Sequence, residues 1–301
     1  MAAWRAVARV LRSPLDAVGC AVFPSNCRLC TQPLLHLSNA PICADCLRDL
    51  PEQDSTNLCA VCGELLGWGG SRFAASTMDA QSLCHLCERA RPPFQLAVAH
   101  GVYQDTLRGL IHLLKYERIS TIAEPLGELL AATIARQEDL PPSLTVVAVP
   151  LHAVKQRERG FNQSILLADA TVRRLRRLRP DLDLHPAWQA MGRQRATESQ
   201  SGLTPRQRRR NLRGAFFIRQ PEQIAGRSVL LLDDIYTTGA TARECTQTLL
   251  RAKAASVHVA TLARSQREGV AFWDAVVPAQ ASRFSGAETD RPQSPNKEVW
   301  N

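Results

Sequence analysis

Asp233 and Asp234 stand side by side after four apolar residues, Val229 to Leu232, and are followed by Ile235-Tyr236-Thr237-Thr238-Gly239-Ala240-Thr241. Two adjacent carboxylates can accept the hydroxyl protons of a vicinal diol, which makes a sugar their natural ligand. The loop that follows offers different chemistry. Thr237, Thr238, Gly239, Ala240 and Thr241 can present converging backbone N–H groups and hydroxyl donors to a phosphate. The carboxylates would repel that phosphate, so the two halves of the run must serve different parts of a ligand. The elements that position these groups are legible on either side. The uninterrupted apolar run reads as a buried central strand of a parallel sheet. Ala242, Cys245, Leu249 and Leu250 recur at helical spacing, so a helix opens where the loop ends and its dipole favours an anion there. A plain strand-to-helix turn with a capping Asp is the blander alternative. Two acids and four consecutive small residues exceed what such a turn needs.

The run resembles the 5-phosphoribosyl-1-pyrophosphate signature of type I phosphoribosyltransferases. That resemblance implies that Asp233 and Asp234, the expected catalytic pair, face the ribose hydroxyls while Thr237 to Thr241 wrap the 5′-phosphate. Tyr236 departs from the pattern, which usually has a small aliphatic residue at this position; a packing role is expected for it.

Nine of the ten cysteines precede position 88. Cys27 and Cys30, Cys43 and Cys46, Cys59 and Cys62, and Cys84 and Cys87 form four C-x-x-C pairs. Two such pairs supply four thiolates to a tetrahedral ion, so the eight residues predict two structural Zn²⁺ sites in a double zinc ribbon. Disulfides are the main rival, and no signal peptide points to an oxidising compartment. A thioredoxin-type redox motif needs one C-x-x-C rather than four. His36 and His85 read as bystanders, and Cys20 and Cys245 as buried thiols. So small and apolar-poor a region has little core of its own, which leaves the metal to hold it together.

Composition narrows the class. At 45% hydrophobic and 22% charged, the 301-residue chain fits one large and one small globular domain. No stretch approaches the ~20 apolar residues of a membrane span, and a cytoplasmic location is expected. The net charge of +9 is uneven: residues 151–220 hold sixteen Lys or Arg against five Asp or Glu, which leaves the remainder slightly acidic. One basic segment in an otherwise neutral chain points to an anionic ligand or nucleic acid at that face. Within it, Lys155 to Ser164 reads as a basic loop at the sheet edge, where Arg157, Arg159 and Gly160 suit a pyrophosphate. Arg193 to Asn211, which includes Arg195, reads as a mobile lid.

The remaining pattern alternates. Strands are expected over 96–103, 143–151, 228–233 and 256–263, with helices over 106–116, 122–136 and 163–177. This predicts an α/β fold with a parallel sheet of the type I phosphoribosyltransferase kind and helices on both faces, preceded by the cysteine-rich ribbon. The expected divisions are an amphipathic helix at 1–22, the double ribbon at 23–90, the phosphoribosyltransferase-type domain at 94–264 and a disordered tail at 265–301.

With the cysteines, R-G-F-N-Q-S at 159–164, R-x-T-x-x-Q at 195–200 and R-R-R-N-L-R-G-A-F at 208–216, residues 27–263 resemble the ComF/GntX-like family. Membership implies a double zinc ribbon joined to a phosphoribosyltransferase-type domain and an association with DNA uptake in natural competence. Two readings follow. As an enzyme, the chain would bind phosphoribosyl pyrophosphate with Mg²⁺ and transfer the pentosyl group to a nitrogen nucleophile, releasing pyrophosphate; no general base for the acceptor is legible. As a non-catalytic protein, it would hold a nucleotide or single-stranded DNA in the same basic pocket, with other competence proteins as partners.

Overall fold

The structure is a computed structural model and describes residues 25–34, 40–50, 57–66, 82–194 and 212–266. The expected N-terminal helix, the lid from 195 to 211 and the tail beyond 266 lie outside these residues.

A five-stranded sheet forms the centre: β1 (Leu96–Val102), β2 (Ser143–Ala148), β3 (Asp183–Pro186), β6 (Ser228–Tyr236) and β7 (Ser256–Arg264). Its spatial order is β1-β7-β6-β2-β3, and each neighbouring pair runs parallel. The apolar runs take the central places because a parallel sheet is covered on both faces. Alternation along β6 shows this directly. Leu230 and Leu232 pack into one core, with α3 (Asp105–Tyr116), α4 (Ala123–Ala135) and α6 (Gln163–Leu178). Val229 and Leu231 pack into the other, with α7 (Ala240–Arg251).

The cysteine knuckles are divided between those cores. Cys27 and Cys46, the latter on the short helix α1 (Ala44–Arg48), pack with Leu107 and Leu110 of α3. Cys59, Cys62, Cys84 and Cys87 pack on the α7 side, the last from α2 (His85–Arg89). Each ribbon therefore borrows its core from the sheet domain.

Three features differ from the sequence expectation. Strand β6 continues through the two acids to Tyr236 instead of stopping at Asp233, because Asp233, Ile235 and Tyr236 keep pairing with β7. The segment read as a basic loop contains a helix, α5 (Ala153–Arg159), capped at its start by His152 and ended by Gly160 in the left-handed conformation. Strands β4 (Met191–Arg193) and β5 (Phe216–Ile218) pair antiparallel, so the two ends of the lid segment are tied together.

Candidate functional site

A cleft of about 350 Å³ lies at the carboxyl ends of the central strands, lined by Leu151, Gln163, Asp233, Thr237 and Thr241 among others. Ligands of parallel α/β sheets bind at this edge.

Strand alternation decides where each acid points. Asp234 shares the parity of Leu230 and Leu232, so it turns toward α3 and α6. There Lys115 Nζ donates to its Oδ1 at 2.8 Å and Gln163 Nε2 donates to its Oδ2 at 3.1 Å. Asp234 is only 5% exposed. Asp233, half-buried, accepts from Ser164 Oγ at 3.2 Å and from the Asp234 backbone N–H at 2.9 Å. Burial first, and the charge of Asp234 second, push the Asp233 carboxyl up to about 7. Burial alone would lower the pKa of the Lys115 ammonium, but the charge and hydrogen bond of Asp234 outweigh it and raise the pKa. One acid is thus paired with a lysine, while the carboxyl of the other is raised to about 7.

The residues of R-G-F-N-Q-S build this arrangement from the other side. Asn162 caps α6, accepting from the Ser164 N–H at 3.0 Å, and its side chain donates to the Val149 carbonyl at 3.5 Å. That fixes the first turn of α6 so that Gln163 and Ser164 reach the acid pair.

The loop after β6 has the form an oxyanion needs. Gly239 is the N-cap of α7 at φ +72°, a conformation that a side chain disfavours. As a glycine it brings no side chain to satisfy the first N–H groups of the helix. The hydroxyl of Thr238 is buried and without a hydrogen-bond partner among the described residues. Thr237, Gly239, Ala240 and Thr241 line the cleft.

Cations face this loop. Lys155, Arg159 and Arg193 line the cleft. Burial lowers the pKa of Lys155, and the nearby charges of Arg159 and Arg193 lower it further. Burial also lowers the pKa of Arg193. Such crowding of half-buried cations is relieved by a bound polyanion. Tyr116 stands 63% exposed at the mouth, with the Arg159 guanidinium 5.3 Å from its ring centroid.

The structure thus gathers Asp233, Asp234, Thr237, Gly239, Ala240, Thr241 and Arg159 around one space, with Thr238 in the same loop but outside the lining. It does not bring Arg157 or Gly160 there: Arg157 is exposed outside the lining, and Gly160, at φ +82°, serves as a helix cap. Arg195 lies outside the described residues. Sequence reasoning missed Lys115 and Tyr116, which sit more than a hundred residues before the acids, and it named Lys155, Gln163, Ser164 and Arg193 without assigning them to the site. The only early signal for Lys115 was a lysine at the end of an otherwise apolar helical stripe.

The cysteines form two separate groups. Cys27, Cys30, Cys43 and Cys46 place their sulfurs within 4.8 Å of one another, as do Cys59, Cys62, Cys84 and Cys87. Sγ–Sγ distances include 3.9 Å for Cys27–Cys46 and 3.6 Å for both Cys30–Cys43 and Cys62–Cys84. A zinc ion with four sulfurs at ~2.3 Å requires edges of about 3.8 Å. Backbone N–H groups of Cys43 and Cys46 point to Cys27 Sγ and Cys43 Sγ at 3.4 Å, as thiolates in a knuckle require. Each cluster could hold one zinc ion.

A family model for the phosphoribosyl transferase domain matches residues 162–279. DNA utilization protein YhgH of Escherichia coli strain K12 is 36% identical over 247 residues, covering 80% of this chain and 98% of that protein. Competence protein F of Haemophilus influenzae is 27% identical over 235 residues, covering 77% and 93% of the two chains. The chain belongs to the ComF/GntX-like family. Within this ComF-like group, competence protein ComFC of Bacillus subtilis is 25% identical over 231 residues, covering 74% of this chain and 84% of that one. Among solved structures, a hypoxanthine-guanine phosphoribosyltransferase of Bacillus anthracis aligns at a TM-score of 0.31 and 16% identity, covering 47% of this chain and 68% of that one. That likeness is too slight to add to the family assignment. Among the described residues, no helix of this ComF-like chain is long and apolar enough to cross a membrane.

Proposed function

We propose that the cleft binds 5-phosphoribosyl-1-pyrophosphate and that the chain transfers its pentosyl group with release of pyrophosphate, within the cytoplasmic handling of incoming DNA or nucleotides. The observation that carries this reading is the sharing of one cleft by an acid pair, Asp233 and Asp234, and the loop residues Thr237, Gly239, Ala240 and Thr241 at the start of α7. In this reading Thr237 to Thr241 hold the 5′-phosphate and Asp233 and Asp234 receive the ribose hydroxyls. Lys155, Arg159 and Arg193 hold the pyrophosphate. Mg²⁺ would enter with the pyrophosphate and neutralise the leaving group. Positive charge grows on the ribose ring as pyrophosphate departs, and the acids offset it from fixed positions. Lys115 pairs with Asp234 and orients it for that task, and Gln163 and Ser164 hold the pair still. In this reading the cysteine-rich part expected at 23–90 is stiffened by one zinc ion in each of its two clusters, one on either side of the sheet, and the part expected at 94–264 carries the cleft.

A second reading is non-catalytic: the same cleft grips a nucleotide or the phosphates of single-stranded DNA. Two observations favour it. Among the described residues lining the cleft, the carboxylates are Asp233 and Asp234, so none remains to act as base on an acceptor. The related proteins named above are called DNA utilization and competence proteins. Incubation with phosphoribosyl pyrophosphate, Mg²⁺ and a panel of nucleobases, with pyrophosphate release recorded, separates the two. Release with at least one base supports the enzyme. Tight ligand and single-strand binding with no release under any condition supports the second reading.

A further inference from the structure

Arg264, the last residue of β7, is 1% exposed, although it carries a full charge. Its partners belong to two different parts of the molecule. Nη1 donates to the Cys62 carbonyl at 2.6 Å, Nη2 lies 3.5 Å from Cys62 Sγ, and Nη2 also pairs with Glu64. All of these belong to the first knuckle of the second cysteine cluster. On its other side the guanidinium carbon sits 4.3 Å from the ring centroid of Tyr236. Tyr236 is the strand partner of Arg264 in the parallel ladder and the residue directly before the phosphate loop.

Tyr236 in turn shapes that loop. Its ring is held edge-on against Phe94, with centroids 6.3 Å apart and planes at 84°. A Cβ placed on Gly239 would stand 2.1 Å from the Tyr236 hydroxyl oxygen, so the left-handed turn of the loop lies directly against the phenol. A displaced Tyr236 ring must either collide with the loop or leave it unsupported. The residue that departs from the phosphoribosyl pyrophosphate signature is therefore the one that joins the loop to the cysteine cluster.

A packing role would not need this charge. Burying a guanidinium against a carboxylate is costly, and an apolar side chain would fill the same space without that penalty. What the charge adds is a grip on Cys62. Groups hydrogen-bonded to a metal-bound sulfur orient it and are oriented by it. A zinc ion in the second cluster fixes the knuckle turn, and with it the Cys62 carbonyl and sulfur to which Arg264 is attached.

We propose that Arg264 and Tyr236 are positioning residues that couple the second cysteine cluster to the phosphate loop, so that metal in the cluster and phosphoribosyl pyrophosphate in the cleft stabilise each other. This rests on the reading of the cleft given above. Metal loss from Cys59, Cys62, Cys84 and Cys87 frees the knuckle, Arg264 loses its anchor, and the loop loses the platform under Gly239. The first cluster packs on the opposite face of the sheet and serves as an internal control.

Coupling of this kind is reciprocal, which makes it measurable without turnover. The full-length, zinc-loaded protein is titrated with a colorimetric zinc chelator, with and without saturating phosphoribosyl pyrophosphate and Mg²⁺. Calorimetry on the same sample establishes whether the ligand binds. The expected result is that the ligand raises the zinc affinity of one of two metal equivalents about tenfold and leaves the other unchanged. In Tyr236→Leu and Arg264→Gln that factor falls to within about twofold of unity, while Tyr236→Phe, which keeps the ring beneath the guanidinium, retains it. Equal extraction of both ions with and without ligand overturns the proposal, as does undiminished coupling in Tyr236→Leu. If the parent binds no phosphoribosyl pyrophosphate, the cleft reading and this inference fall together. If it binds without coupling, this inference alone falls. The parent comparison decides even where a variant fails to fold.

Discussion

Replacing Asp233 with asparagine should stabilise the protein at alkaline pH and leave it nearly unchanged at acidic pH. The Asp233 carboxyl is pushed up to about 7, by burial first and by Asp234 second. In the unfolded chain it would ionise near 4, the ordinary value for aspartate. Between those two values the folded chain holds a proton that the unfolded chain has released, so stability falls as pH rises through the window. Raising a pKa from about 4 to about 7 on folding corresponds to at most about 4 kcal/mol, lost progressively across that range. Asparagine has no charge to bury and keeps an oxygen that can accept from Ser164. Urea unfolding of ligand-free parent and variant at pH 4, 5, 6, 7 and 8 would show the two curves close together at pH 4 and parting as pH rises. The variant should finish ahead by a few kcal/mol at pH 8. The gain would accompany a loss of function, as expected when a strained site is relaxed. Stability differences between parent and variant that do not change with pH would refute the reasoning, because they would mean that Asp233 ionises alike in both states.

Three other outcomes follow from the geometry. Lys115→Met leaves the buried Asp234 without its lysine and should cost about 3–5 kcal/mol by urea unfolding; adding Asp234→Asn should recover most of that loss, and a failure to recover it would deny the pairing. Gly239→Val forces a side chain into a left-handed turn against the Tyr236 hydroxyl and should weaken binding of any 5′-phosphorylated ribose by ~10²-fold or more, checked by calorimetry. Metal analysis of anaerobically purified protein should return two equivalents of zinc, and Cys43→Ser should lose one and keep the other; freely titrating thiols at all eight positions would exclude both sites.

The sheet was legible in the sequence because its interior strands are mostly apolar, without a break from Val229 to Leu232 and with only Thr145, His258 and Thr261 interrupting the others, as burial on both faces requires. The cysteine quartets were legible because their ligands come in local pairs. Asp233, Asp234 and the loop from Thr237 to Thr241 could be read because strand, loop and helix follow one another within a single short run. Lys115 could not be read. It reaches Asp234 only because β1 and β6 flank β7 and α3 covers the face to which strand alternation turns that acid. The assignment of Arg157 and Gly160 to a pyrophosphate loop rested on composition. Composition cannot distinguish a glycine that lets backbone approach a ligand from one that ends a helix, and Gly160 ends α5. Arg264 was hidden for a further reason: a strand-end arginine normally reaches solvent, and the hydrogen-bond acceptor that holds it inside is at Cys62, 202 residues away.

We read the cleft beside Asp233 and Asp234 as a phosphoribosyl pyrophosphate site. Its most direct test is a calorimetric titration of the zinc-loaded protein with phosphoribosyl pyrophosphate and Mg²⁺, run beside the Gly239→Val variant. Saturable binding at one site per chain is expected in the parent, and its loss in the variant. No binding by the parent at millimolar ligand, or equal binding by both proteins, would contradict it.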